Sequence, residues 1–370
     1  MRVAIIHYWL VRRRGGERVL EEISRLFPDA DIFTHVLDPA SLGPALCKRR
    51  ISETGIARLP FARRAYKAYL GFMPRALEAV DLSGYDLVIS SESGPAQGVI
   101  APPGARHLTY CHSPMRYIWD HFPTYRAAAP ALARPVFDHV AHRMRIWDRA
   151  AAQRVDRIIA NSRFVADRAE RYWGRRADVI HPPVDLARFT PPSAQAEADA
   201  PYLFVSELTD YKRADLAVEA FRGLDRRLII VGDGPMRKRL AALAPPNVVF
   251  AGRLPDEQVA AAYRSARALI FPAEEDFGIT PVEAMAAGLP VIAYGRGGAR
   301  ETVVEGETGL FFPEQTPEAL RDVIGTFESR AFAPDACRER AEVFAAWRFR
   351  AAFSAAVDDL MAAPSGQIRR

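Results

Sequence analysis

The sequence predicts an α/β protein made of two doubly wound domains, each a parallel sheet, with a cleft between them. Three observations carry that reading. Short apolar runs alternate with helical patterns along the chain, as a parallel sheet covered by helices on both faces requires. The alternation stops over 181–200, a Pro- and Ala-rich stretch with no clear period, and then restarts. The length, 370 residues, suits two domains of ordinary size.

The elements follow in order. RVAIIHY (2–8) is a continuous apolar run, as in a strand buried on both faces. Gly15-Gly16 follow, and then a helical stretch over 17–27. Segments 31–36, 85–90, 106–111 and 157–160 read as further strands, with the longest helical pattern near 133–154. Asn161-Ser162 offers an N-cap for RFVADRAERYW. After the linker, 202–206, 226–232, 247–252, 268–272 and 290–294 read as strands. Helices are predicted at 212–222, 235–243, 256–266, 281–287, 299–304 and 316–328, and 337–362 reads as helices beyond the second sheet. In such sheets ligands sit outside the carboxyl ends of the strands.

Composition narrows the function classes. Apolar residues are 49% and charged residues 26%, which argues against disorder, collagen and coiled coil. Cys47, Cys111 and Cys337 are far apart and form no CxxC, so neither a disulfide framework nor a Cys-based zinc site is expected, and a reducing compartment fits. The apolar run at the N-terminus is short and interrupted by His7, unlike a signal peptide, and no stretch is long and apolar enough to span a bilayer. The net charge of +5 divides unevenly, +9 over 1–185 and −4 over 186–370. A basic first half points to an anionic partner: a membrane surface, a phosphate-bearing substrate or nucleic acid. Lysine is rare against arginine, with only Lys48, Lys67, Lys212 and Lys238. Segment 56–77 mixes Leu59, Phe61, Tyr66, Tyr69 and Phe72 with Arg58, Arg63, Arg64, Lys67 and Arg75. It reads as a basic amphipathic helix able to lie on an anionic bilayer, or as a solvated face over the first core.

The most informative stretch is EEDFGITPVEAMAAG (274–288). It follows a strand and opens a helix, with Pro281 read as the first helical residue. Gly278 lets backbone approach a ligand closely. Unpaired N–H groups at the helix start suit a diphosphate, and the carboxylates of Glu275 and Glu283 suit neutral sugar hydroxyls. An alternative reading of Glu283 is equally open. Thr280-x-x-Glu283 spells a capping box, in which the glutamate only bonds back to its own helix end.

This stretch resembles the E-x7-E signature of the retaining glycosyltransferases of family 4. TYCHSPMRYIWD (109–120), ANSRFV (160–165), HPPVD (181–185), YKRADLAVEAF (211–221), VGDGP (231–235), GGARETV (297–303) and GETGLFF (306–312) agree and come in the family's order. The match is to the branch of GDP-mannose-dependent mannosyltransferases that builds O-antigen and exopolysaccharide, and it covers about the first 330 residues. The resemblance implies a GT-B fold of two Rossmann-like domains. The first, 1–185, would bind the acceptor. The second, 186–345, would bind the nucleotide sugar, and helices over about 346–362 would cross back to the first.

Roles carry over from the resemblance by residue. Glu275 is expected to bond donor-sugar hydroxyls and Glu283 the ribose. Phe277, Gly278, Ile279 and Thr280 resemble the loop whose backbone contacts sugar and phosphate. Lys212 matches the lysine that neutralises the leaving diphosphate, with Arg213, Gly15 and Gly16 also on the donor. His112 is expected at the cleft against the donor sugar or the phosphate, although a lone His among aromatic residues also describes a satisfied core group. Arg116, Tyr117 and Trp119 are expected near the acceptor. One departure stands out: Glu207 occupies the place of an arginine that helps bind the diphosphate. At ~4 Å from a phosphate it would cost about 4 kcal/mol at an effective dielectric of 20.

The expected catalytic set is therefore Glu275, His112 and Lys212, with no protein nucleophile, no metal and no cofactor. The leaving phosphate itself would assist the acceptor hydroxyl. Expected partners are a nucleotide-diphosphate sugar, a lipid-linked saccharide acceptor and an anionic membrane surface, with no nucleic acid. The expected location is cytoplasmic, peripheral at the inner face of the membrane. Two rival readings are a catalytically silent binding protein on the same fold and an NAD-type oxidoreductase. Asp29-Ala30-Asp31 spells a metal-binding DxD but reads as a turn, and Gly295 with Gly297-Gly298 reads as a tight strand-to-helix turn near the phosphate.

Overall fold

The computed structural model describes residues 1–191 and 199–364. Part of the predicted linker, 192–198, lies outside the described residues. The chain forms two compact units, one of residues 1–181 with 349 onward and one of 182–348.

The first unit holds a seven-stranded parallel sheet: β1 Val3–His7, β2 Asp31–Thr34, β3 Ile51–Glu53, β4 Leu87–Glu92, β5 Arg106–Cys111, β6 Arg157–Ala160 and β7 Asp178–Val179. Their spatial order is β3-β2-β1-β4-β5-β6-β7. Every residue of β1 and β4 is buried, which explains their apolar runs. The helix after β1 spans Gly15–Leu26 and so includes the glycine pair in its first turn. Ser162 caps the helix Arg163–Trp173, its hydroxyl accepting from the Val165 N–H. The C-terminal helix Ala346–Ala362 lays Phe349, Phe353 and Val357 on this unit's core, where both phenylalanines meet the Tyr110 ring.

The second unit repeats the plan with six parallel strands: β8 Tyr202–Val205, β9 Leu228–Val231, β10 Val248–Gly252, β11 Leu269–Phe271, β12 Val291–Tyr294 and β13 Gly309–Phe312. Their order is β10-β9-β8-β11-β12-β13. In both units the chain builds outward from its first strand, then returns to that strand's other side. The loops leaving the two central strands diverge there and open a crevice at their carboxyl ends.

Three local expectations are corrected. The edge strands β3 and β7, and also β13, are absent from the sequence reading. The first two carry too few apolar residues to register as buried runs. The second correction concerns 56–77, which is not one amphipathic helix. It is broken into a 3-10 turn Gly55–Arg58, a helical turn Ala62–Ala65, a 3-10 run Tyr66–Phe72 and a helix Met73–Glu78. Pro60 ends the first piece, Pro74 sits in the first turn of the last, and Phe61 takes a left-handed backbone at φ 53°. The third is the helix assigned to 281–287, which begins at Ile279 with Gly278 as its cap at φ 84°. Pro281 is thus its third residue, not its first.

Candidate functional site

In the second unit, β8 and β11 are neighbours at the strand-order reversal. The loop after β8 carries Lys212 and the loop after β11 carries Glu275. The two side chains close on each other as an ion pair between Lys212 Nζ and Glu275 Oε1, each mostly shielded at 15% and 19% exposure. Such shielding raises the cost of removing either partner alone. Arg213 follows in the left-handed region at φ 55°, an unfavourable conformation for a residue with a Cβ. Its Nη1 reaches Gln315 Oε1 at 3.4 Å, and Gln315 Nε2 donates to Pro272 O at 2.8 Å, which links this loop to the exit of β11.

The Glu275 loop rests on the glycine turn after β12. Gly298 N–H donates to Glu275 O at 2.8 Å. A Cβ at Gly298 would stand 2.3 Å from Phe277 Cα, and one at Gly297 would stand 2.5 Å from Glu275 O. Only glycine permits this contact, so Gly297-Gly298 is a support of the loop. Phe277 anchors the loop in the core, edge-on to Phe344. Gly278 ends it at positive φ, and Ile279 and Thr280 open the helix. Because Gly278 is the cap, Thr280 lies inside the helix and is not an N-cap, so the capping box spelled by Thr280-x-x-Glu283 is not realised. Glu283 Oε2 instead accepts from Tyr263 Oη at 3.4 Å. Glu207 is exposed, on a loop packed against Gly232 and Gly234.

In the first unit the reversal lies between β1 and β4, and the sequence reading missed what gathers there. His7 ends β1 and pairs in register with Ser91 of β4. Ser91 Oγ lies 3.0 Å from His7 Nδ1 and 2.8 Å from Nε2 of His112, which follows β5. Glu17, in the first turn of the Gly15–Leu26 helix, brings Oε1 to 3.6 Å from His7 Nε2. A Cβ on Gly16 would meet Tyr8 Oη at 2.5 Å and His112 Nε2 at 3.7 Å. Gly15-Gly16 and His112 therefore share one site. The only signal for His7 and Ser91 was polarity inside otherwise apolar strands. Burial, with His7 beside it, lowers the His112 pKa to about 3, so the ring is neutral.

The acceptor-side trio is divided. Trp119 donates its indole N–H to Asp148 Oδ2 at 2.8 Å and stacks on Tyr172 at 4.8 Å, which commits it to internal packing. Arg116 lies 3.8 Å from Asp120. Tyr117 Oη is buried with no hydrogen-bond partner among the described residues, and burial, with Glu92 and Asp148 nearby, raises its pKa. Asp31 of the DxD accepts from Tyr85 Oη at 2.6 Å, an internal contact.

Comparison with known proteins places this architecture. The model for Glycosyltransferase Family 4 matches residues 13–188, and that for Glycosyl transferases group 1 matches 189–344. The chain belongs to the family 4 glycosyltransferases of GT-B fold. A D-rhamnosyltransferase of Pseudomonas aeruginosa is 33% identical over 187 residues, 46% of this chain and 49% of that protein. A GDP-mannose-dependent alpha-(1-6)-phosphatidylinositol monomannoside mannosyltransferase of Mycolicibacterium smegmatis is 32% identical over 193 residues, 44% of this chain and 50% of that one. The match thus spans about half the length of these relatives. Sucrose-phosphate synthase from Thermosynechococcus elongatus superposes with a TM-score of 0.71 at 20% identity, covering 98% of this chain and 100% of that one.

In this family 4 chain the first unit also encloses a buried titratable cluster. Burial lowers the pKa of His35 to about 4 and that of His107 to about 3. Burial raises Asp148 to about 6, and burial with Asp148 nearby raises Glu92. Each depressed histidine takes up a proton more readily when unfolded, so below pH 6.5 it lowers stability as pH falls. Each raised carboxyl takes up a proton more readily when folded and so opposes that loss, Asp148 doing so between about pH 6 and 4. Asp148→Asn removes one opposing group. In denaturant titrations the variant should lose about 1.4 kcal/mol more per pH unit between pH 6 and 4 than wild type does. Equal slopes would show that Asp148 is ionised in the fold.

Proposed function

We propose that the protein is a retaining hexosyltransferase that moves mannose from GDP-mannose to a lipid-linked saccharide. The observation that carries this reading is the Lys212–Glu275 pair at the strand-order reversal of the second unit. The donor would take the pair apart productively. Its diphosphate takes the ammonium of Lys212, and its sugar hydroxyls take the carboxylate of Glu275. The N–H groups of Ile279 and Thr280 add positive potential for the phosphates. Glu283, which accepts from Tyr263, takes the ribose in this reading. Catalysis is then positioning plus charge stabilisation, with the leaving phosphate assisting the acceptor hydroxyl. The names of the two relatives support a hexose donor, and one of them names both GDP-mannose and a lipid acceptor.

This reading predicts that GDP-mannose raises the melting temperature more than UDP-glucose does, whereas preference for a UDP-sugar would remove the GDP assignment. Glu275→Ala should lower turnover by at least ~10²-fold in protein still folded at the assay temperature, with a lower melting temperature because Lys212 loses this carboxylate partner. Glu283→Gln should weaken nucleotide binding, and an effect on stability alone would return that residue to a structural role.

The acceptor end rests on the first unit's surface. Arg58, Arg63, Arg64, Lys67 and Arg75 are all exposed, beside Phe61 and Phe72 at 81% and 65% exposure. Behind them a mostly apolar groove of about 790 Å³ is lined by Ile56, Leu59, Tyr69, Phe72 and Val80. Each cation near anionic lipid contributes about 1 kcal/mol, enough together for reversible docking. Among the described residues no helix is long and apolar enough to cross a membrane. The chain should co-sediment with vesicles containing phosphatidylglycerol, less so at high salt. Reversing Arg63, Arg64 and Lys67 to Glu should abolish most of that binding and leave the nucleotide-sugar response unchanged. Undiminished sedimentation of the triple variant would contradict the docking assignment.

A further inference from the structure

Glu17, His7, Ser91 and His112 form a polar line across the carboxyl edge of the first unit's sheet. Its middle is set by strand register, since His7 and Ser91 are paired residues of β1 and β4. With both rings neutral the line has two self-consistent polarities, because the Ser91 hydroxyl owns one proton and sits between two ring nitrogens. Either that proton goes to His7 Nδ1 and the oxygen accepts from His112 Nε2–H, or the direction is reversed throughout.

Glu17 breaks the tie. Its Oε1 is 3.6 Å from His7 Nε2, a buried nitrogen with no hydrogen-bond partner among the described residues. A lone pair on Nε2 would face a carboxylate and be repelled, whereas an N–H there is attracted. With the proton on Nε2, His7 Nδ1 must accept from Ser91. Ser91 must then accept from His112 Nε2–H. His112 is left with an unprotonated Nδ1, for which no hydrogen bond exists among the described residues.

We propose that Glu17, His7 and Ser91 are positioning residues that lock His112 as the Nε2–H tautomer and present its Nδ1 as a hydrogen-bond acceptor. An acceptor lone pair repels phosphate oxygen and receives a hydroxyl proton. The ligand of His112 is therefore a sugar hydroxyl and not the diphosphate, a conclusion that rests on the donor-site reading above. Glycine at position 16 keeps the helix start clear of Tyr8 and His112. The neutral state of His112 fits a ring that receives a hydroxyl proton in hydrogen bonding without carrying a charge.

The direct test is ¹H–¹⁵N NMR of the imidazole rings in the full chain without ligand, with His112→Gln used to assign the signals. Wild type should show His112 protonated at Nε2 and bare at Nδ1. Ser91→Ala and Glu17→Gln should each give a mixture of tautomers. Ser91→Ala should also lose transfer activity by about 10-fold while the melting response to GDP-mannose persists. A wild-type His112 protonated at Nδ1 overturns the proposal outright, even if a variant fails to fold. A tautomer unchanged in both variants overturns the positioning role. A tautomer that shifts while the transfer rate does not overturns the hydroxyl-binding role alone. Loss of any response to nucleotide sugars in wild type counts instead against the donor-site reading.

Discussion

A parallel sheet whose strand order reverses must send the loops after its two central strands in opposite directions, and the space between them cannot be filled by the sheet itself. This constraint operates once in each unit of the molecule. In the first it lies between β1 and β4, and in the second between β8 and β11. Nearly every polar group assigned a chemical role here stands at one of those two points. Lys212 and Glu275 come from the two loops of the second reversal. His7 and Ser91 come from the two strands of the first, with His112 one strand further along.

The two points hold charge differently. At the second, opposite charges neutralise each other across the gap and stay available to a ligand that brings an anion and hydroxyls together. Contacts between loops fix their placement: the Gly297-Gly298 turn carries the Glu275 loop and the Gln315 side-chain amide ties Arg213 to the exit of β11. At the first, hydrogen bonds through Ser91 join His7, beside the Glu17 carboxylate, to a neutral His112. Such a line specifies direction rather than charge, which suits recognition of an uncharged hydroxyl.

Much of this was legible in the sequence. Fully buried strands announce themselves as apolar runs, and Ser162 could be identified as a cap because its chemistry is local. The 274–283 loop and helix start could be read because Gly278, the two glutamates and the first helical turn lie close in sequence. What escaped detection depends on distant contacts. His7 and Ser91 meet only through strand pairing, 84 residues apart in the chain. Trp119 is expected near the acceptor from its motif, but Asp148 and Tyr172, which engage it, come from elsewhere in the chain. The break in segment 56–77 followed from Pro60 and Pro74, whose effect on backbone outweighed an amphipathic pattern.

The central claim is that a nucleotide sugar binds at the second unit's strand reversal and displaces the Lys212–Glu275 pair. Hydrogen–deuterium exchange on the full chain, with and without saturating GDP-mannose, tests it most directly. The account predicts new protection in two stretches distant in sequence, the loop over 206–213 and the loop and helix start over 274–283, with the supporting turn at 297–298 following them. Protection confined to other segments, with both loops unchanged at saturation, would contradict it.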